Sequence, residues 1–279
     1  MLLNVFDVDH GACALISTSN GRQVLIDCGH HAHNRWYPGT ALSAMGISVV
    51  DKLYVTNFDE DHVSGFGNLM RNVDVDVLAT NATVGPRELA SMKSEHGMGH
   101  GIALLHNAML NTFTGGPPLG VQAYDFGDTS FTVYWNQFSP RFGFTDTNNL
   151  SLAIFVKCGP HKVLFPGDLE RPGWKALMRD PSFIAELFDV NLFVASHHGR
   201  ANGYCEELMA LCPNIQAVII SDEGKVFQTQ ETTDLYRRHS KGFQYNGQQR
   251  KVLTTRSDGT MRFHLNQMGG GSVLLNIAA

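Results

Sequence analysis

TNFDEDHVSG, residues 56–65, sets Asp59, Glu60, Asp61 and His62 side by side directly after the apolar run KLYV, residues 52–55. A short apolar run ending in aromatic and β-branched residues reads as a buried strand. Residues 63–72, VSGFGNLMRN, have helical spacing, so the acidic turn sits where a strand gives way to a helix. Two other stretches repeat this arrangement: FPGD (165–168) closes the run HKVL, and ASHHG (195–199) closes NLFV. Strand ends hold side chains with the rigidity that metal coordination needs. Three sets of metal-type ligands on three strand ends are expected to converge on one site.

Outward from these turns, residues 2–8, 12–18 and 22–27 are β-rich runs separated by HG and NG turn signals, as in an antiparallel meander. The polar loop HHAHNRWYPG and a short helix near TALSAMG lead into KLYV. Residues 81–120 are richer in Met, His and Gly; a helix is expected from about Pro86 to Leu110, closed by GGPPLG, as an insertion or lid. Strands are then expected at VQAYDF, SFTVYW, LSLAIFVK and HKVLFPGD, followed by alternating helices and strands to GTMRFHL. The order implies α/β architecture: two sheets packed face to face with helices outside, in a single domain spanning 1–279.

Composition bounds the function. At 279 residues and 43% hydrophobic, the chain can bury a large core. A formal charge of −5 provides no bulk basic field, so a nucleic-acid or phosphate partner would have to be held by local features. The five cysteines are scattered with no CxxC pair and read as reduced thiols of a cytoplasmic protein. The first residues, MLLNVFDVDHG, do not read as a signal peptide, and no stretch approaches the roughly 20 apolar residues of a membrane span. The expectation is a soluble protein with no membrane partner.

VFDVDHGACALI with VLIDCG, TNFDEDHVSG, TNNLSLAIF, VLFPGDLE, LFVASHHG and the closing VLTTRSDGTMRF occur in an order that resembles the metallo-β-lactamase fold hydrolases. Within them the chain resembles the soluble hydrolase domain of ComEC-type DNA-uptake proteins. The resemblance spans nearly the whole chain and implies an αββα sandwich of two mixed β-sheets flanked by helices. The family's HxHxDH motif falls on Asn57, Asp59, Asp61 and His62, its bridging aspartate on Asp168, and its last histidine ligand on His198, with His197 beside it. The middle histidine position matches Asn149 or Asn148.

One half-site, Asp61, His62, Asp168 and His198, keeps two carboxylates and two imidazoles, a set that suits zinc, manganese or iron. The other, with Asn57, Asp59 and Asn149, has lost its imidazoles, and its oxygen-rich donors favour manganese, magnesium or calcium. One or two divalent ions are thus expected. Asp61 and His197 are the expected catalytic pair, His197 protonating a leaving group. Asp27 is expected to orient a ligand histidine, and His30, His31 and Asn148 to border the mouth or touch substrate. The resemblance implies a metal-dependent hydrolase of phosphoesters, a nuclease or phosphodiesterase, with a small-molecule or nucleic-acid substrate. Two alternatives stand beside it: a degenerate member that binds a ligand or partner without turnover, for which Asn57 speaks, and a hydrolase of lactones or other carbonyl esters.

Overall fold

A computed structural model describes residues 1–114, 124–223 and 232–277. The expected GGPPLG closure lies outside the described residues, as does the start of VQAYDF; its described part, residues 124–126, is not a strand.

Two mixed sheets form the centre. The seven-stranded sheet runs Gly271–Leu274, Met261–Leu265, Leu2–Val5, Ala14–Ser17, Gln23–Ile26, Lys52–Tyr54, Leu78–Ala79. Its last three strands are parallel and the others antiparallel. The six-stranded sheet runs Val252–Thr254, Ala217–Ile220, Leu192–Val194, His161–Phe165, Leu152–Cys158, Thr129–Trp135, with the first four parallel.

Side-chain alternation explains the layering, because successive strand residues face opposite sides. Leu3, Val5, Ile16, Val24 and Ile26 of one sheet share an apolar cluster with Ile154, Val156, Val163, Ile219 and Leu253 of the other, so these residues fill the space between the sheets. The intervening positions face outward. Leu15, Leu25 and Leu53 pack with Leu42, Phe66, Leu69 and Leu105 from helices on one side, and Phe155, Leu164 and Phe193 pack with Trp174, Phe183 and Leu208 on the other. The expected αββα sandwich is therefore the architecture observed.

The parallel strands all end at one edge, and the three ligand-bearing turns lie there, each following one of them. The outer face of an open sheet's carboxyl edge is where such folds place ligands.

Two expectations change. The helix from Pro86 to Leu110 is two helices, Pro86–Met92 and His100–Asn111, broken by a turn in which Gly97 is left-handed at φ +77°. Both carry core residues, Leu89 and Ile102, Leu105 and Ala108, that pack on Val63 and Phe66, so the segment is seated on the sandwich. The first two strands are also shorter than their apolar runs, because residues 6–13 leave the sheet to form a loop in which Asp9 takes φ 57°.

Ile154, wholly buried between the sheets, and Phe142, 94% exposed, mark the extremes of this packing. Ile154→Ala should cost about 2–5 kcal/mol of unfolding free energy in urea titrations, whereas Phe142→Ala should stay within about 0.5 kcal/mol.

Candidate metal centre

The acidic turn is held from beneath by glycines. A Cβ on Gly29 would stand 2.5 Å from the backbone oxygen of Asp61, and one on Gly11 2.7 Å from the same atom. The turn is also tied to the first meander, since Cys28 donates its N–H to the His62 carbonyl at 2.8 Å. From here Glu60–Val63 forms one helical turn that buries His62 and leaves Asp61 half-buried.

Asp27, buried at the end of its strand, collects three donors. Its carboxylate accepts the Thr56 N–H at 2.7 Å, the Thr56 hydroxyl at 2.5 Å and Nδ1 of His62 at 2.9 Å. A carboxylate is an acceptor only, so the proton of His62 sits on Nδ1 and the Nε2 lone pair points away from Asp27. His198 is oriented in the same way: its Nδ1 donates to the Ser221 carbonyl at 2.9 Å. A carbonyl likewise accepts only, which frees the Nε2 lone pair of His198.

The two Nε2 atoms converge. His62 Nε2 lies 3.1 Å from Asp168 Oδ1, and His198 Nε2 lies 3.2 Å from Asp61 Oδ2 and 3.5 Å from Asp168 Oδ1. Both nitrogens are buried and neither has a hydrogen-bond partner of acceptable geometry. One ligand atom from each of Asp61, His62, Asp168 and His198 falls within 4.8 Å of the others. His62, Asp168 and His198 also line a cavity of about 40 Å³ between the sheets. Buried ring nitrogens that make no hydrogen bond of acceptable geometry and face two carboxylates are what a divalent cation satisfies when it binds the neutral imidazoles. The residues present fit a zinc- or manganese-type ion at this half-site.

The turns from the second sheet are strained into place. His197 and His198 adopt φ 51° and 52°, and Gly199 φ 74°, three consecutive left-handed residues. Two of these lack glycine's freedom, and such backbone strain costs about 1–2 kcal/mol per residue. Hydrogen bonds hold the run in place: His197 donates its N–H to Gly167 O at 3.2 Å, and Ser196 donates its hydroxyl to Leu169 O at 2.5 Å.

The other expected residues fall in distinct places. His197 is beside the group rather than in it: its Nε2 accepts from Arg200 at 3.1 Å and lies 3.9 Å from Asp168. Asn149 is spent on structure, its Oδ1 accepting the Gly173 N–H at 2.8 Å and its Nδ2 donating to Asp146 at 2.9 Å. Asn148 accepts from Asn57 and donates to Glu170, both at 3.1 Å. Asp59 pairs with Lys93 and accepts the Thr147 hydroxyl. His31 clasps Asp9 at 2.7 Å, while His30 stacks on Tyr37 and lines a cleft of about 270 Å³ with His10, Glu60 and Asp61.

Sequence reading passed over four residues now seen at the mouth: His10, Lys93, Glu170 and Arg200. Arg200 Nη2 approaches His10 Nε2 at 2.8 Å, and the His10 ring packs 4.7 Å from that of His198. Burial, then His198 and Arg200, push His10 down to about 4, so it is neutral near pH 7. Glu170 and Arg200 follow the quoted FPGD and SHHG turns by two residues and one residue respectively, and that adjacency was their only signal.

Burial opposes the charged form of all four clustered groups, yet their mutual attraction wins. Asp168 chiefly raises His62 and His198, while His198 lowers Asp61 and His62 lowers Asp168. A raised histidine stabilises the metal-free fold fully below its unfolded pKa, and that contribution is lost as pH rises through the folded pKa. The lowered aspartates contribute above their unfolded pKa, and their contribution is lost as pH falls through the folded one.

Comparison with known proteins gives structural likeness only. No family model and no curated protein matches the chain. A point variant of the CmlA β-hydroxylase aligns over 95% of this chain at 15% identity and TM-score 0.53, and the chain spans 54% of that protein. Zinc-bound PqqB from Methylobacterium extorquens aligns over 70% of this chain and 72% of its own at 11% identity and TM-score 0.40. A diphosphatase of the PhnP family aligns over 99% and 98% at 7% identity and TM-score 0.44.

Two outcomes follow from the site. In melting-temperature series, chelator-treated protein should lose stability on the alkaline side of the ordinary histidine range, and zinc or manganese, which bind neutral imidazoles, should remove that loss; identical curves would count against the centre. Asp27→Asn should weaken metal binding about 10- to 100-fold by calorimetric titration, because it disturbs the orientation and basicity of His62.

Proposed function

We propose that this chain, which has the metallo-β-lactamase fold, is a metal-dependent hydrolase of anionic phosphoesters. The observation that carries the reading is Arg200, whose guanidinium is held between His10 and His197 at the mouth of the four-ligand group. A guanidinium presents paired N–H donors that match two oxygens of a phosphate, and it stays charged at any working pH. A neutral lactone carries no ground-state anion for it to bind.

Asp61, His62, Asp168 and His198 would hold the ion. Bound there, a divalent ion supplies Lewis acidity and a water of lowered pKa. Arg200 would exchange contacts it now makes for the non-bridging oxygens of the substrate and stabilise the charge that develops on them. Because a guanidinium only donates, His197 accepts from Arg200 at Nε2 and carries its proton on Nδ1, 3.5 Å from Glu170. In this reading His197 positions Arg200 rather than protonating the leaving group. The cleft beside Asp61, walled by His10 and His30, receives the substrate. The ComEC-like order of motifs leans toward phosphodiesters, nucleic acid among them.

A second reading, a metal-binding member without turnover, is favoured by Asn57 and by the commitment of Asn149 to the fold. One assay separates them. With manganese or zinc added, a chromogenic phosphodiester should be hydrolysed in preference to lactones, and Arg200→Ala should lower kcat/KM about 10- to 100-fold, the worth of a charged hydrogen bond or two. Lactone turnover indifferent to Arg200 would overturn the phosphoester reading, and metal uptake without turnover on any substrate would favour the binding protein.

A further inference from the structure

We propose that this chain carries a one-metal centre, in which the Lys93 ammonium, paired with Asp59, stands in for a second metal ion. The inference depends on the four-ligand group but not on the substrate reading.

A second ion would need lone pairs from Asn57, Asp59 and the Asn148–Asn149 pair, together with a share of Asp168. Most of those lone pairs are committed elsewhere; Asn57 Oδ1, buried without a hydrogen-bond partner, is the exception. Asp59 pairs with Lys93 Nζ through Oδ1, and the Thr147 hydroxyl stands 3.0 Å from both carboxylate oxygens. Asn57 turns its amide nitrogen toward Asp59 Oδ2 at 3.4 Å and Asn148 Oδ1 at 3.1 Å. The reverse orientation would set its oxygen against two other oxygens, so the observed one is the orientation the surroundings require. What faces Asp59 is therefore a ring of N–H and O–H donors, the complement of an anion and the opposite of a cation cage. Asn149 has spent both ends of its carboxamide on Gly173 and Asp146.

Charge points the same way. The Lys93 side chain is 15% exposed and that of Asp59 31%, so the pair is only partly screened. Bringing a divalent ion beside a fixed ammonium adds repulsion, and displacing the ammonium leaves it to be resolvated or repaired elsewhere.

The fold also explains how Lys93 arrives. It lies just past the helix Pro86–Met92, at the break before His100–Asn111. The latter helix is docked on the acidic turn, because the Glu60 carboxylate accepts the N–H groups of Gly101 at 2.7 Å and Ile102 at 3.1 Å. One acidic turn thus binds the helical segment through Glu60 and receives its lysine through Asp59, while Asp61 and His62 face the metal group. The segment read from sequence as an insertion or lid supplies a positive charge to the centre.

The test counts ions and needs no turnover, so an inactive protein would leave it intact. After saturation with manganese and removal of unbound ion, elemental analysis should give one ion per chain for the wild type. Lys93→Met, which removes the cation from Asp59 Oδ1 and lets the Asn57 carboxamide turn its oxygen to the vacated place, should bind a second manganese, visible as manganese–manganese coupling in electron paramagnetic resonance; adding Asp59→Asn should return the count to one. Lys93→Gln, which keeps a hydrogen-bonding end but no charge, serves if the methionine variant fails to fold. Two ions on the wild type, or a single ion on every Lys93 variant that folds, would overturn the proposal.

Discussion

The hydrogen bond from His62 Nδ1 to Asp27 is the constraint on which the site depends. Asp27 ends the strand Gln23–Ile26, and Thr56 lies just past its parallel neighbour Lys52–Tyr54. By taking both donors of Thr56 as well as the imidazole, one buried carboxylate ties two strand ends together and selects the histidine tautomer. Had these strands been antiparallel, their carboxyl ends would lie on opposite edges and no single residue could do this. The second sheet contributes its half through Asp168 and His198, and the halves are joined directly where Ser221 donates its hydroxyl to Gly11 O at 2.6 Å. Ligand geometry is therefore a property of how the sheets pack, and the apolar layer between them is part of the metal centre.

The parts of this design that are local in sequence were legible there. Strand ends carrying Asp61–His62, Asp168 and His198 could be read because each ligand directly follows its own apolar run, and the sandwich could be read from those runs. What could not be read is long-range and polar. Lys93 meets Asp59 across 34 residues and Arg200 meets His10 across 190, with no periodicity to announce either pairing. Asn149 was aligned with a ligand position by pattern, but its amide is claimed by Gly173, at the start of a helix whose docking no short motif encodes. The break between the two helices of the 86–111 segment was signalled by Gly97 and Gly99, and it was obscured by good helix formers on either side.

The pairing of Leu2–Val5 with Met261–Leu265 has a consequence for how the chain reaches its native state. This strand lies inside the seven-stranded sheet between a neighbour close in sequence and one some 260 residues away, matched residue for residue from Leu2 with His264 to Val5 with Met261. Contacts of such separation make folding slow, since the intervening loop must close before they form. During synthesis the N-terminal meander must wait with one edge of unpaired backbone N–H and C=O groups, the kind of edge that recruits strands from other chains. The window for misassembly closes only when the late strand arrives to cover that edge.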